Sequence, residues 1–434
     1  MPNTPIKNIV ARQILDSRGN PTVEVTVEAG TAKGTFGVPS GASTGSAEAL
    51  ELRDGGKQYG GLSVLTAVKN VNMILAKQIN GMNVFDQAEI DKRMIQLDGT
   101  SNKKKLGANA ILGVSGAVVK AAAAVKKVPV YKYVALLHKK KQWSSFAKSY
   151  GGSAEASRVG GKLPKPMFNV INGGKHGDTN LDIQEFMLVP KFDSVTENIR
   201  VASEVFHVLE KALKERGLNT NLGNEGGFSP KVESNSQVLD LISIAIKDAG
   251  FVLGKDVSLA TDVAASGLFK DFDKQYVLNA DRASLSAERF VSLLKEWADK
   301  YSIISIEDGL AEEDWTGWQM MQERLGQELM LVGDDLFATN VERLKKGIEM
   351  GVANAIIIKP NQVGTITETL ATVALAQKNA YKIIASHRSG ETTDDFIADF
   401  AVGIGADFIK AGSVARGERV AKYNRLMQIE EDLK

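Results

Sequence analysis

The segment 355–364 places a lysine where an apolar strand ends. Residues 356–358 are all isoleucine, a run that is typical of a strand buried on both faces of a parallel sheet. Pro360 cannot donate to a ladder and disfavours helical backbone at Lys359, so the sequence predicts an extended Lys359 at the strand's carboxyl end. In a barrel, that end carries the chemistry. The alternative is a solvated loop lysine, so the role of Lys359 depends on its neighbours.

Carboxylates end three further apolar runs, at Asp262, Glu307 and Asp334. If the strand ends converge, these residues surround one point with hard oxygen ligands and leave positions for water and substrate, as Mg²⁺ prefers. Scattered helix caps or ion pairs are the alternative, and we interpret the adjacent Asp308 and Asp335 as caps. The three carboxylates therefore predict a metal site.

Basic residues follow the other late strands, at Lys359, at Arg388 and at Lys410. A salt-bridge network with the carboxylates is one interpretation. The other is an anionic substrate, since Arg388 offers a bidentate fork for a phosphate and Ser389 adds a hydroxyl.

Two more acids stand outside this set. Glu225 lies in the glycine-rich loop 221–227, and Glu185 begins a strand-like segment. His176 lies in another glycine-containing loop. Acids and histidines in such loops are often only turn residues, so each is a weak candidate for acid–base chemistry by itself.

Composition excludes several classes of function. The 434 residues include 53 Lys+Arg and 52 Asp+Glu, so no overall field favours nucleic acid or an anionic membrane. The absence of cysteine excludes disulfides, thiolate metal sites and cysteine nucleophiles. The first residues lack the apolar core of a signal peptide, and no apolar run approaches a membrane span. We therefore expect a cytoplasmic protein that needs neither nucleic acid nor a membrane.

The order of elements predicts two domains. Residues 6–38 alternate as strands of a small antiparallel sheet, and helical patterns follow around 64–79, 87–97 and 108–125. The small residues of the loop 39–45 give a mobile backbone that could close as a lid. We assign residues 1–140 to an α+β domain with this lid, 141–165 to a linker or exposed loop, and 166–434 to a catalytic barrel.

The second domain begins with two strands and two helices, and six strand–helix units follow. The strands of these units lie near Val257, Ile303, Leu331, Ile356, Ile383 and Phe408. Eight strands of an α/β chain fit a closed parallel barrel. An open doubly wound sheet is disfavoured because no Gly-x-Gly-x-x-Gly turn opens a helix.

Together, these motifs resemble the enolase family across essentially the whole chain. The matching stretches are 16–22 (DSRGNPT), 40–45 (SGASTG), 182–187 (DIQEFM), 225–227 (EGG), 305–308 (SIED), 333–336 (GDDL), Lys359 with Asn361 and Gln362, and 386–392 (SHRSGET). The resemblance implies an eight-stranded, TIM-like barrel of ββαα(βα)6 type after a smaller α+β domain. It also implies reversible dehydration of 2-phosphoglycerate to phosphoenolpyruvate in glycolysis and gluconeogenesis, two Mg²⁺ ions per active site, and a homodimer.

The resemblance also implies a role for each residue. Lys359 would take the proton from C2, and Glu225, with Glu185 beside it, would protonate the departing C3 hydroxyl. Lys410 would hold the substrate carboxylate and favour the neutral form of Lys359. The first ion would be held by Asp262, Glu307 and Asp334, and the second by substrate oxygens and Ser43. The implied catalytic residues are Lys359, Glu225, Glu185, Lys410 and His176, and the implied substrate contacts are His176, Gln184, Glu185, Lys359, His387, Arg388, Ser389 and Lys410.

Departures from the family pattern lie beside some of these residues. Asn224 stands where Asp is usual, so a charge beside the proposed acid is missing, and Ala411 and Gly177 replace the common Thr and Ala. The stretch 139–162 is longer than the usual connection. Two rival functions remain: a lysine Schiff-base aldolase, and a surface-binding protein with a vestigial active site.

Overall fold

The computed structural model describes residues 3–41, 45, 47–139 and 162–434. Three residues of the lid loop, Ala42, Ser43 and Thr44, and the predicted linker residues 141–161 lie outside the described residues. The rest of the chain forms a small amino-terminal domain and a barrel domain.

The amino-terminal sheet is antiparallel in the order β1-β2-β3, which confirms the prediction. Its strands are β1 (Ile6–Leu15), β2 (Pro21–Ala29) and β3 (Ala32–Gly37). Val23, Val25 and Val27 of β2 are fully buried, while the residues between them are half-buried. This alternation gives the sheet one apolar face.

The helices of this domain pack against the sheet or against one another. They are α1 (Leu65–Asn70), a π-helical turn (Val71–Leu75), α2 (Ala76–Ile79), α3 (Gln87–Asp98), α4 (Ala108–Lys126) and α5 (Val130–Lys139). Contrary to the sequence prediction, one described helix, α4, is long and apolar enough to cross a membrane by length and composition alone. It packs against β2 and β3 with 83% of its most apolar window buried, as expected for a core helix.

Eight strands of the described chain close into a barrel in the order β10-β11-β12-β13-β14-β4-β5-β6, which confirms the predicted fold. They are β4 (Lys165–Asn172), β5 (Glu185–Pro190), β6 (Val257–Asp262), β10 (Ile303–Glu307), β11 (Met330–Gly333), β12 (Ala355–Ile358), β13 (Lys382–Ser386) and β14 (Phe408–Lys410). The prediction of a wholly parallel sheet was wrong, because β5 runs antiparallel to both β4 and β6. Parallel neighbouring strands need a crossover connection, which is usually a helix. Within the described residues, no such crossover helix joins β4 to β5.

Helices surround the barrel. They are α6 (Val195–Glu215), α7 (Asn235–Asp248), α8 (Ala287–Tyr301), α9 (Trp315–Leu325), α10 (Val341–Met350), α11 (Pro360–Val363), α12 (Ile366–Lys378), α13 (Phe396–Gly403) and α14 (Gly417–Leu433). The sequence predicted that a helix follows β6 directly. Instead, a small antiparallel sheet intervenes, formed by β7 (Phe269–Lys270), β8 (Gln275–Leu278) and β9 (Ala283–Leu285).

The isoleucine run is buried on both faces of the barrel wall, as predicted. Ile357 points inward and joins the side chains that fill the barrel, namely Met167, Met187, Val189, Ala260, Val332, Ala355 and Ile384. Ile356 and Ile358 pack outward in the larger core beneath the helices. This double burial fixes β12 and therefore the direction in which Lys359 leaves it.

Candidate active site

Six neighbouring strands of the barrel carry three acids and then three bases at one rim. In barrel order, these residues are Asp262 at the end of β6, Glu307 at the end of β10, Asp334 after β11, Lys359 after β12, Arg388 after β13 and Lys410 at the end of β14. The antiparallel β5 begins at the same rim, and its first residue, Glu185, pairs with Asp262. The structure thus brings the predicted acids and bases to one place.

All of these side chains except that of Glu307 line one cleft. Its lining comprises Glu48, His176, Gln184, Glu185, Glu225, Asp262, Ala264, Asp308, Asp334, Asp335, Lys359, Ser386, His387, Arg388, Ser389 and Lys410. Glu48 comes from the amino-terminal domain, so both domains build the cleft.

Lys359 is extended, with φ −127° and ψ 104°, and Pro360 begins a short helix directly after it. Its N–H donates to Thr339 Oγ1 at 2.9 Å, and its Nζ forms an ion pair with Asp334. Burial acts to lower the pKa of Lys359, but Asp334 raises it, and the net shift is upward. Lys410 lowers the pKa of Lys359 and so favours the neutral amine, as predicted, but Asp334 raises this pKa by more.

Lys410 is buried among three carboxylates. Its Nζ lies 2.8 Å from Glu307, 3.3 Å from Glu185 and 3.4 Å from Asp262. Although burial acts to lower the pKa of Lys410, these carboxylates hold it well above its ordinary value. Lys410 is therefore a fixed cation at the centre of the site.

The carboxylates on the acidic side are crowded. Oxygens of Asp308, Asp334 and Asp335 lie within 4.8 Å of one another. Burial, followed by repulsion from Asp262, raises the pKa of Glu307 well above its ordinary value, and burial with repulsion from Asp334 raises that of Asp335 to about 7. A hard divalent cation would relieve this repulsion, and an all-oxygen donor set suits Mg²⁺.

The interpretation of Asp308 as a helix cap was wrong, because the helix that follows it is capped by Asp314. The two carboxylate oxygens of Asp308 accept the backbone N–H groups of Asp334 and Asp335 at 3.0 and 2.8 Å. Gln184 and Gln362 orient two of the proposed ligands: the Nε2 of Gln184 donates to Asp262 at 3.1 Å, and that of Gln362 to Asp334 at 3.0 Å.

A second cluster contains Glu185, Glu225 and two histidines. His176 Nδ1 lies 3.3 Å from Glu185 and 3.5 Å from Glu225, and His387 Nε2 lies 3.6 Å from Glu225. Asn169 Nδ2 donates to Glu225 at 3.0 Å. All of these side chains are buried.

The pKa values of Glu185 and Glu225 are shifted in opposite directions. Burial, followed by repulsion from Glu225, raises the pKa of Glu185 to about 7. Burial acts to raise the pKa of Glu225 as well, but His176 and His387 lower it well below its ordinary value. Burial disfavours protonation of His176, yet Glu225 and Glu185 raise its pKa to about 10. Of the two carboxylates, Glu185 therefore has the higher pKa and binds a proton more readily than Glu225.

Arg388 is paired with an acid that sequence reasoning missed. Its Nη1 donates to Glu48 at 2.9 Å and to Asn361 Oδ1 at 3.2 Å, and its Nη2 donates to Glu48 at 3.3 Å. Beside it, Ser389 Oγ accepts a hydrogen bond from Arg18 Nη1 at 3.5 Å. Glu48 lies three residues beyond the lid loop, and that proximity was the only sequence signal for it.

Both domains match known protein families. Residues 6–134 match the family described as "Enolase, N-terminal domain", and residues 161–434 match "Enolase, C-terminal TIM barrel domain". The two matches follow one another along the chain in the order of the two folded domains.

Proposed function

Because the chain belongs to the enolase family through both of its domains, which makes it an enolase-type lyase, we propose that it catalyses the reversible dehydration of 2-phosphoglycerate to phosphoenolpyruvate. The reaction removes a proton from C2 and a hydroxyl group from C3, so it needs a base and an acid on either side of the substrate. The cleft contains both kinds of group.

The observation that carries the proposal is the placement of these groups on opposite walls of the barrel. Lys359 follows β12 and Glu185 begins β5, and these strands are four apart in either direction around the closed ring of eight. Glu225 lies beside Glu185, because both approach His176. A substrate in the cleft would therefore meet the amine at C2 from one side and the carboxylate pair at C3 from the other.

Charged residues account for the rest of the substrate. Arg388 supplies a bidentate fork for the phosphate and Ser389 a hydroxyl, while Lys410 supplies a fixed positive charge for the substrate carboxylate. On the acid side of the cleft, His176 Nδ1 lies 3.3 Å from Glu185 and 3.5 Å from Glu225, so the three side chains form one cluster that supplies a proton. That proton leaves with the C3 hydroxyl as water.

We propose two Mg²⁺ ions as cofactors, the first held by Asp262, Glu307 and Asp334. When bound, they would neutralise the crowded carboxylates, including the Asp334 that raises the pKa of Lys359, and stabilise the negative charge that develops on the substrate carboxylate. Lys410 and Arg388 both lower the pKa of Lys359, so these cations favour the neutral amine that a base requires.

An absorbance assay for phosphoenolpyruvate formation from 2-phosphoglycerate tests the proposal. We expect Mg²⁺-dependent product from the parent protein, loss of activity with EDTA, and no product from Lys359→Ala. Lys382→Ala is a matched control, because that lysine is exposed and stands at the amino end of β13, away from the cleft. No Mg²⁺-dependent product from the parent, or full activity in Lys359→Ala, would refute the proposal.

Exchange of the C2 hydrogen with deuterated water separates the two halves of the reaction. Lys359→Ala should lose both exchange and product. Glu225→Gln should lose product but retain exchange, because the base is intact. Trapping of the substrate on the protein by borohydride would instead indicate a lysine Schiff base, as in an aldolase.

A further inference from the structure

Arg419 is a fully buried arginine that no role in the reaction accounts for. It lies in the first turn of α14, behind the cleft rather than in its lining. Its Nη1 donates to His387 Nδ1 and to the Arg388 carbonyl, each at 2.6 Å. Its Nη2 donates to the Ser389 carbonyl at 2.6 Å and to the Asn224 carbonyl at 3.1 Å. One guanidinium therefore joins the loop of the proposed acid to the loop of the proposed phosphate site.

The contact with His387 has a chemical consequence, because a guanidinium can only donate hydrogen bonds. The Nδ1 atom that faces Arg419 must accept, so it carries no proton. In a neutral imidazole the proton is then on Nε2. This Nε2 is buried, lies 3.6 Å from Glu225, and has no hydrogen-bond partner among the described residues.

We propose that Arg419 is a positioning residue that holds His387 as the neutral Nε2–H tautomer and so directs a proton donor at Glu225. The effect on turnover rests on the function proposed above. The tautomer itself is a property of the resting protein. His387 with the opposite tautomer would turn a lone pair toward the Glu225 carboxylate and repel it.

The positive charge of Arg419, like its hydrogen bond to Nδ1, favours the neutral form of His387. Burial, reinforced by Arg419, Lys410 and Lys359, holds the pKa of His387 well below its ordinary value, although Glu225 opposes this. Arg419 also lowers the pKa of Glu225. Arg419 therefore favours a neutral histidine beside an anionic Glu225.

Lys422, one turn further along α14, offers an internal comparison. Its buried Nζ donates to the Thr392 carbonyl at 2.6 Å and pairs with Glu391 at 2.9 Å. It thus supports the same 387–392 loop through Thr392 and Glu391 rather than through His387. Loss of Lys422 should disturb the loop without changing the tautomer of His387.

Nuclear magnetic resonance of ¹⁵N-histidine reads the tautomer directly, and the chain contains only four histidines. A His387→Gln sample assigns the signal. We expect the parent protein to show a protonated Nε2 and an unprotonated Nδ1. Arg419→Met should give the Nδ1–H or a mixed tautomer, while Arg419→Lys, which keeps a donor-only side chain, should retain Nε2–H. Lys422→Met should also retain it.

Kinetics then test the consequence. In Arg419→Met, phosphoenolpyruvate formation should fall at least ~10-fold while C2 hydrogen exchange persists, since a catalytic histidine held in the wrong tautomer can cost up to ~10⁴-fold. Arg419→Lys should recover part of the rate. Arg425→Met is the control for loss of an arginine from α14, because Arg425 pairs with Asp399 outside the cleft. It should change neither the tautomer nor the exchange-to-product ratio.

The two proposals fail in different ways. A parent protein without Mg²⁺-dependent product refutes the proposed function but leaves the tautomer measurement valid. A parent spectrum with Nδ1 protonated overturns the inference about Arg419 whatever the activity, and it does so even if Arg419→Met fails to fold. An unchanged tautomer and unchanged product rate in a folded Arg419→Met protein would overturn it as well.

Discussion

Asp91 joins the two domains through a buried carboxylate that accepts hydrogen bonds from the neutral residues Gln87 and Thr367. Its Oδ2 accepts both the backbone N–H and the hydroxyl of Thr367, near the start of α12 in the barrel domain. Gln87 Nε2 donates to its two oxygens at 3.1 and 3.2 Å. Despite these hydrogen bonds, burial raises the pKa of Asp91 to about 6. The contact should therefore depend on pH.

The size and sign of the effect follow from linkage. The folded protein binds the Asp91 proton with a pKa of about 6, compared with an ordinary value of 3.8. At about 1.36 kcal/mol per pKa unit, this gap corresponds to ~3 kcal/mol. Because the pKa is raised on folding, this contribution to the free energy of unfolding is fully present below about pH 3.8. It is lost as the pH rises through about 6.

Asp91→Asn removes the titration while keeping a side chain of the same shape. Urea unfolding of both proteins at several pH values between 3.5 and 7 isolates the effect, because all other titrating groups are shared. Relative to the variant, the parent should lose ~3 kcal/mol across this range. Hydrogen exchange at the Thr367 amide should accelerate in the parent over the same interval. Unfolding free energies that run parallel with pH would refute the reasoning.

Three further predictions concern the cleft. Glu48→Gln should destabilise the fold by up to about 3–5 kcal/mol, because it removes the buried carboxylate partner of Arg388. Inorganic phosphate should then raise the melting temperature of the variant more than that of the parent, and equal increases would contradict this. Mg²⁺ at 100 times its dissociation constant should stabilise the parent by about 2.7 kcal/mol, and Asp334→Asn should abolish that shift, as measured by calorimetry with and without EDTA. Asn224→Asp should raise the pKa of the coupled Glu185–Glu225 pair by less than about one unit, since residue 224 is partly exposed, and so move the alkaline limb of the pH–rate profile upward. An unchanged profile would mean that this departure does not tune the acid.

The barrel and the rim residues were predictable because both follow from local chemistry. Runs such as 356–358 indicate buried strands by composition, and a polar residue after each run marks where the strand leaves the core. Since the strands of a barrel converge at one rim, the acids and bases had to meet once closure was assumed. The regular strand–helix alternation supported that assumption.

The errors arose where a feature depends on partners distant in the chain or on very short elements. The direction of β5 is set by the chain turning back after β4, and a single strand pattern does not encode direction. Strands β7–β9 contain two to four residues, too few for a period to be recognised. Glu48 and Arg388 are 340 positions apart, so their ion pair had no local signature.

Protonation was the least predictable property of the cleft, because it depends on the sum of many nearby charges. The resemblance implied Glu225 as the acid with Glu185 beside it, although on residue types alone the two carboxylates are equivalent. They differ because His176, His387 and Arg419 all lower the pKa of Glu225, whereas burial, followed by repulsion from Glu225, outweighs the effect of Lys410 on Glu185. The higher pKa of Glu185 is therefore a consequence of the fold. Delivery of a proton to the C3 hydroxyl requires either that substrate binding change this balance or that Glu185 itself act as the donor. Loss of product in both Glu185→Gln and Glu225→Gln would indicate that the two carboxylates work as one acid.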